Sequence, residues 1–223
     1  MSRCQQALRD GVLATWRRLL LSFAVLALLG CSQSIPLAPL PAGSRVLAFG
    51  DSITFGTGAA VGDDYPRHLA ARSGWQVHNA GIPGETAATA RGRIDAAIAE
   101  ARPALVIVEM GGNDFLRRRP EAAVKEDLRA IVASIRASGA QVVLVAVPKF
   151  SLLGAATGRL PDSPIYAELA KEEKLPLVAG VLAETLSDPA LKADPIHPNA
   201  DGYRKLADGI AEQLQRAGLL SKR

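Results

Sequence analysis

The chain has 223 residues, of which 48% are hydrophobic and 22% charged, and this length and composition are typical of one globular domain with a buried core. Its 20 glycines and 14 prolines follow no collagen-like period, which excludes a fibrous protein. The formal charge is +4, most of it from arginines in residues 1–30, and no basic stripe with interleaved aromatic residues remains, so we expect no nucleic-acid partner.

The first segment in chain order has basic residues followed by an apolar run at residues 19–30. This run is short for a bilayer-spanning helix and typical of the central part of a signal peptide. It ends in Leu-Leu-Gly-Cys, which resembles the bacterial lipobox, where a cysteine after a small residue is lipidated. We therefore predict a lipoprotein signal peptide over residues 1–30 and a lipid group on Cys31; a plain signal peptide and an uncleaved anchor are the alternatives.

Residues 31–44 contain three prolines, and this composition predicts an extended tether between the lipid and a folded domain. Cys4 lies in the signal peptide, so the mature chain keeps Cys31 alone and can form no internal disulfide. We expect a membrane partner through the N-terminal lipid. The expected location is the cell envelope, anchored at a periplasm-facing membrane surface, or the secreted fraction.

From residue 45 onward, short apolar runs alternate with longer amphipathic segments. This alternation predicts strands at residues 45–49, 76–79, 104–110, 141–147 and 176–178. It predicts helices at residues 65–73, 86–100, 120–138, 164–174 and 201–217. The pattern indicates one α/β domain over residues 45–223, a three-layer sandwich with a central parallel sheet of about five strands. Active sites of such sheets lie at the carboxyl ends of the strands.

Ser52 follows the first predicted strand in Gly50-Asp51-Ser52, at a turn that can present a side chain to solvent. A free serine is a weak nucleophile, so this interpretation requires an adjacent base. The alternative is an ordinary N-cap serine. The chain contains no G-x-S-x-G, so the nucleophile elbow of α/β-hydrolases is absent.

The strongest candidate for the base is His197, because His68 lies in a predicted helix and His78 in a short strand, where packing roles are common. His197 stands between two prolines just before the last helix, three residues after Asp194. A hydrogen bond from Nδ1–H to this carboxylate would fix the tautomer and leave Nε2 free as the base. The alternative is a turn with a capping aspartate and an incidental histidine.

Two further strand ends carry groups that could stabilise an oxyanion. Gly81 follows the second strand, and a glycine allows a backbone N–H to approach a ligand closely. Asn113 follows the third strand, and its amide can donate to a negative oxygen formed on acyl attack. Taken singly, both patterns are also typical of tight turns. Asp51 and Asp114 have no histidine or cysteine at ligand spacing, so we expect loop hydrogen bonds there, with no metal and no cofactor.

Four segments, in this order and spacing, resemble the SGNH (GDSL) hydrolase superfamily. They are Gly-Asp-Ser-Ile-Thr-Phe-Gly at 50–56, Asn-Ala-Gly-Ile-Pro-Gly-Glu-Thr at 79–86, Gly-Gly-Asn-Asp at 111–114 and Asp-Pro-Ile-His-Pro-Asn at 194–199. The chain is most similar to the bacterial thioesterase/lysophospholipase/arylesterase group. The resemblance implies a flavodoxin-like fold and a triad of Ser52, Asp194 and His197. It also implies an oxyanion hole from Ser52, Gly81 and Asn113.

The sequence thus predicts a serine esterase that hydrolyses carboxylic esters, lysophospholipids or thioesters through an acyl-enzyme. An esterase that removes O-acetyl groups from carbohydrate or peptidoglycan would use the same residues, and an apolar groove beside Ser52 would favour longer acyl chains over sugars. A non-catalytic surface lipoprotein is the alternative from another class. The segment around Phe150, Leu152 and Leu153 does not align with the group, although a loop at this position often shapes its acyl pocket.

Overall fold

The computed structural model describes residues 37–149 and 160–221, which contain a parallel sheet of five strands. The strands are β1 (Arg45–Gly50), β2 (Gln76–Gly81), β3 (Leu105–Glu109), β4 (Gln141–Val145) and β5 (Leu177–Val178). They lie in the order β2-β1-β3-β4-β5, so the chain reverses its direction of winding between β1 and β3. Parallel α/β sheets bind ligands outside the carboxyl ends of the strands at such a reversal.

Helices flank this sheet in the described part of the chain. They are α1 (Ser52–Phe55), α2 (Tyr65–Ser73), α3 (Ala87–Ala90), α4 (Ile94–Ala101), α5 (Gly112–Leu116), α6 (Glu121–Ala137), α7 (Pro164–Glu172), α8 (Val181–Ser187) and α9 (Ala200–Arg216). A short 3₁₀ helix spans Pro189–Leu191. Helix α9 packs against α2 and α8, and helix α6 packs against α3, α4 and α7; these two groups cover the two faces of the sheet.

The last helix shows how apolar spacing fixes the position of a functional loop. In α9, buried Tyr203, Leu206, Ile210 and Leu214 recur three or four residues apart and therefore share one face. Asn199 caps the helix, because its side chain accepts a hydrogen bond from the N–H of Gly202 at 3.0 Å. Burial of that face, together with the cap, fixes where the preceding loop meets the sheet.

The fold class predicted from the sequence is confirmed: the structure is α/β with a central parallel sheet of five strands flanked by helices. One predicted helix, at residues 86–100, is wrong as a single element, because it is broken at residues 91–93 into α3 and α4. Gly92 lies at the break, where its low helix propensity favours an interruption. The short helices α1, α5 and α8 were not predicted, because four to seven residues give too little periodicity to detect.

The described part of the chain begins within the predicted tether. Leu40 is buried, its N–H donates to the carbonyl of Leu219 at 2.9 Å, and Trp75 Nε1 donates to the carbonyl of Leu40 at 3.3 Å. Leu40 therefore packs with the described residues of the predicted domain, while the boundary at residue 45 stays a prediction. The predicted signal peptide and Cys31 lie outside the described residues. No helix among residues 37–149 and 160–221 is long and apolar enough to cross a membrane.

Candidate active site

Ser52 and His197, which are 145 positions apart in the sequence, meet at the carboxyl edge of the sheet. Ser52 is the first residue of α1, directly after β1, and His197 lies in the loop that precedes α9. Nε2 of His197 is 3.0 Å from Oγ of Ser52. Nδ1 of the same ring is 2.7 Å from Oδ2 of Asp194. The three side chains thus form a continuous hydrogen-bonded series.

Asp194 is oriented by the backbone that follows it. Its Oδ1 accepts from the N–H groups of Ile196 at 2.8 Å and His197 at 2.9 Å, which leaves Oδ2 for the imidazole. Burial opposes ionisation, but the hydrogen bonds from the His197 ring and from Ile196 outweigh it, so the pKa of Asp194 lies below its ordinary value. An ionised Asp194 accepts a hydrogen bond from Nδ1–H, and the neutral imidazole then presents an unprotonated Nε2 to Ser52.

The loop that carries His197 is closed by backbone hydrogen bonds. The N–H of Ala193 donates to the carbonyl of His197 at 3.0 Å, and the N–H of Asn199 donates to the carbonyl of Leu191 at 2.9 Å. These bonds, as well as the two prolines, hold the imidazole in place. His68 and His78 do not line the pocket beside Ser52: His68 lies on α2 near Asp63, and His78 is an exposed residue of β2.

Asn113 lies in α5, directly after β3, and lines the same pocket as Ser52 and His197. Its Nδ2 donates to Oδ2 of Asp51 at 3.2 Å and to the carbonyl of Glu85 at 3.0 Å. Both amide hydrogens therefore have acceptors in this structure. An oxyanion bound by Asn113 must take over one of these two hydrogen bonds.

Gly81 lies at the expected edge of the sheet, but its N–H has an acceptor within the protein. Its N–H donates to Oδ1 of Asn79 at 2.9 Å, and Nδ2 of Asn79 in turn donates to the carbonyl of Thr54 at 2.8 Å. A Cβ at Gly81 would lie 2.1 Å from the backbone nitrogen of Phe55. Gly81 allows β2 to pack against α1, and its single N–H is already engaged, so an oxyanion would have to displace Asn79.

Gly84 offers a donor that the sequence interpretation missed. Residues 82–85 form a turn in which the N–H of Glu85 donates to the carbonyl of Ile82 at 3.2 Å and Gly84 has φ +79°. Proline followed by glycine at the two central positions is typical of a type II turn. The N–H groups of Ser52 and Gly84 donate to no other described residue. Gly84 adjoins Glu85, whose carbonyl accepts from Asn113.

Arg93 holds the ends of two strands together and was also not predicted. Its guanidinium donates to the carbonyls of Gly50 at 3.2 Å and Ala80 at 2.9 Å, and forms an ion pair with the buried carboxylate of Glu85. It also lies 4.1 Å from the centre of the Phe49 ring, a cation–π contact. Arg93 thus joins β1, which precedes the nucleophile, to β2.

The pocket beside Ser52 has a mostly apolar lining. Its apolar residues come from α1, α5, α8, the segment after β4 and the loop before α9: Ile53, Leu116, Val147, Leu182, Leu186 and Ile196. Helix α8, which contributes two of these, was not predicted. Phe150, Leu152 and Leu153, which the sequence suggested near this pocket, lie outside the described residues. The pocket therefore has apolar walls even without that segment.

Two buried carboxyl groups, Asp51 and Glu109, also line this pocket. Oδ1 of Asp51 accepts from the N–H of Ile53 at 3.1 Å, and Oε2 of Glu109 accepts from Oγ1 of Thr54 at 2.8 Å. Burial raises the pKa of Asp51 to about 6, against the opposing effects of the Ile53 N–H and the charge of His197. Burial, and next the charge of Asp51, raise the pKa of Glu109 well above its ordinary value.

The raised pKa of Glu109 predicts a pH-dependent effect of Glu109→Gln on stability. At pH values above the ordinary pKa of the carboxyl, the folded state holds a proton that the unfolded state has lost. The contribution of Glu109 to the free energy of unfolding is therefore largest at low pH and falls as pH rises. Glutamine keeps an acceptor for Thr54 and does not titrate. In thermal melts, we expect the Tm of the variant relative to the unmodified protein to rise from about pH 5 to about pH 8. A Tm difference that is constant or falls with pH would contradict the burial argument.

Asp114 is buried and structural: Oδ2 accepts from the N–H of Ala87 at 2.8 Å, and Oδ1 is paired with Arg119. This agrees with the expected role in loop hydrogen bonds. Across residues 37–149 and 160–221, no cluster of three or more His, Cys, Asp or Glu side chains could hold a metal ion.

The chain is similar to known proteins in sequence and in structure, and these similarities agree with one another. The sequence model of the GDSL-like Lipase/Acylhydrolase family matches residues 48–205. Thioesterase 1/protease 1/lysophospholipase L1 of Escherichia coli (strain K12) is 34% identical over 182 residues, 78% of this chain and 85% of that protein. Esterase TesA of Pseudomonas aeruginosa is 31% identical over 198 residues, 85% of this chain and 97% of that protein. The crystal structure of TesA superposes with a TM-score of 0.69 at 30% identity, covering 77% of this chain and 98% of the other.

Proposed function

The chain belongs to the GDSL-like Lipase/Acylhydrolase family and is a hydrolase that acts on esters, and from this premise we propose that it works through a Ser52–His197–Asp194 triad and an acyl-enzyme. The observation that carries the proposal is the 3.0 Å contact between His197 Nε2 and Ser52 Oγ, extended at 2.7 Å to Asp194. A nucleophile that contacts a base, itself oriented by a third group, is the arrangement that such chemistry requires.

In the acylation step, Nε2 of His197 removes the Ser52 proton as Oγ attacks the ester carbonyl. Asp194 stabilises the imidazolium, and the carbonyl oxygen becomes a tetrahedral oxyanion. The N–H of Ser52 and the amide of Asn113 donate to this oxygen, and we propose the N–H of Gly84, in place of Gly81, as the third donor. His197 then gives its proton to the leaving alkoxide or thiolate, and the acyl group remains on Ser52.

In the deacylation step, water takes the position of the leaving group. Nε2 of His197 removes a proton from the water, which attacks the acyl carbonyl through a second tetrahedral oxyanion. When this tetrahedral intermediate collapses, His197 returns the proton to Ser52 and the carboxylic acid is released. The same donors serve both steps, so a loss of one donor slows both.

Asn113→Ala removes one of the donors, and we expect kcat for a p-nitrophenyl ester to fall roughly 10²–10³-fold with little change in KM. The charge on the oxygen develops only in the transition state, so substrate binding is spared. Gln141→Ala is a matched amide control, because this side chain lies at the amino end of β4 and contacts Ala38. An unchanged kcat in Asn113→Ala would show that other donors hold the oxyanion.

The apolar lining of the pocket supports an acyl chain as the part of the substrate that lies beside Ser52, in preference to a sugar. Relatives named thioesterase, lysophospholipase and esterase support the same class of substrate. A panel of a p-nitrophenyl acyl ester, an acyl thioester, a lysophospholipid and an acetylated sugar tests the proposal. We expect turnover of one or more of the three acyl substrates, and hydrolysis of the acetylated sugar alone would overturn it.

We further propose that Cys31 carries a lipid that anchors the mature protein to the cell envelope, with residues 1–30 removed as a signal peptide. The support is the sequence of the leader alone: an apolar run that ends in a small residue and a cysteine. Mass spectrometry of protein extracted from membranes tests this directly, since an N-terminus other than a lipidated Cys31 would contradict it.

A further inference from the structure

One side of the active-site entrance is both apolar and exposed. Among residues 37–149 and 160–221, the exposed large hydrophobic side chains are Phe55, Val61, Ile82 and Leu116, and three of these four lie on elements that contact one another beside Ser52. Phe55 is 55% exposed, Leu116 45% and Ile82 44%. A single exposed apolar side chain is ordinary, whereas a contiguous group at a binding site is informative.

Contacts in the backbone place these three elements side by side. Gly81 packs directly against the backbone of Phe55, which brings Ile82 beside α1. The guanidinium of Arg117 donates to the carbonyl of Gly84 at 3.0 Å, which joins the end of α5 to the turn that begins at Ile82. We define the rim patch as six exposed residues that lie on these elements or directly after α5: Phe55, Ile82, Pro83, Leu116, Arg117 and Arg118.

The rim patch carries positive charge. Arg117 and Arg118 are exposed, and neither forms an ion pair with another described residue. The neighbouring carboxylates do not cancel this charge, because Glu85 is paired with Arg93 and Asp114 with Arg119. Apolar side chains flanked by arginines are complementary to a lipid surface that carries negative charge.

We propose that the rim patch docks the enzyme on the surface of an anionic lipid assembly and so presents lipid-borne esters to Ser52. Leu116 belongs to both the rim patch and the apolar pocket, so the rim patch adjoins the pocket beside Ser52. The proposal rests on the proposed esterase activity and adds the form in which substrate is presented.

The test compares two activities of the full chain. One is hydrolysis of a soluble p-nitrophenyl butyrate, and the other is hydrolysis of a fluorogenic acyl ester carried in phosphatidylglycerol vesicles. The variants are Phe55→Ser/Ile82→Ser and Arg118→Glu, whose side chains do not line the pocket. Val61→Ser is the matched control, because Val61 is fully exposed but outside the rim patch.

We expect both rim variants to keep the soluble activity and to lose about tenfold or more of the vesicle activity, while Val61→Ser keeps both. With phosphatidylcholine vesicles, Arg118→Glu should have little effect, since the attraction is electrostatic. Unchanged vesicle activity in the rim variants, or an equal loss on phosphatidylcholine in Arg118→Glu, would overturn the docking proposal. Absence of hydrolysis of both substrates by the unmodified protein would instead overturn the proposed function.

Discussion

Replacement of Ser52 by alanine should reduce ester hydrolysis by roughly 10⁶-fold, the loss typical of a triad that works as a unit. Without Oγ no acyl-enzyme can form, and the remaining donors and His197 can only assist direct attack by water. The expected change falls on kcat, because the pocket walls and the oxyanion donors remain. Steady-state kinetics with p-nitrophenyl butyrate measure it.

Ser44→Ala is the matched control for this experiment. Ser44 precedes the opposite end of β1, where its hydroxyl donates to the carbonyl of Pro41 at 2.7 Å. We expect this variant to keep full activity. If Ser52→Ala also kept its activity, Ser52 would have no part in the chemistry.

Asp194→Asn should reduce kcat roughly 10⁴-fold while the fold is retained. The N–H groups of Ile196 and His197 hold the carbonyl oxygen of the new amide where Oδ1 now lies, so the amide NH₂ faces the ring. Nδ1 must then accept, the proton moves to Nε2, and the nitrogen that faces Ser52 can no longer remove a proton. The pH dependence of kcat distinguishes this effect from general unfolding.

Asp188→Asn is the matched control, because it makes the same aspartate-to-asparagine change away from His197. Asp188 is an exposed aspartate that caps the short 3₁₀ helix by accepting from the N–H of Ala190 at 2.9 Å. We expect only a small change in kcat there. A loss of less than about tenfold in Asp194→Asn would mean that Asp194 does not set the tautomer of His197.

The periodic features of the chain were predictable from sequence because they follow from burial. Alternating apolar and amphipathic segments gave the parallel sheet, and the position of Ser52 after β1 and His197 before α9 then placed both at one edge. The distance between them was not predictable. It depends on how α9 packs and on hydrogen bonds such as Ala193–His197, which join backbone groups with no signature in side-chain type.

The preference for Gly84 over Gly81 as the proposed donor has a local physical cause. An asparagine side chain readily accepts from a backbone N–H two residues on, so Asn79 competes for the hydrogen bond that an oxyanion would need. The spacing of Asn79 and Gly81 therefore indicates that the N–H of Gly81 is engaged by the asparagine side chain. The proline and glycine at residues 83 and 84 are typical of a turn, and that signal could have directed attention to Gly84.

Arg93 and Glu109 show what sequence alone could not give. Arg93 stands in a break between two helices, and nothing in its neighbours indicates that its guanidinium reaches the carbonyls of two strands. Glu109 interrupts an otherwise apolar strand, and only the structure reveals its burial beside Asp51. Both roles depend on contacts between residues far apart in the chain.

The most direct test of the account is to locate the covalent adduct. The unmodified protein is treated with a fluorophosphonate, digested and analysed by mass spectrometry, with Ser52→Ala treated in parallel. We predict one adduct, on the peptide that contains Ser52, and no labelling of the variant. An adduct on another residue, or an enzyme that hydrolyses esters while Ser52 stays unmodified, would contradict the account.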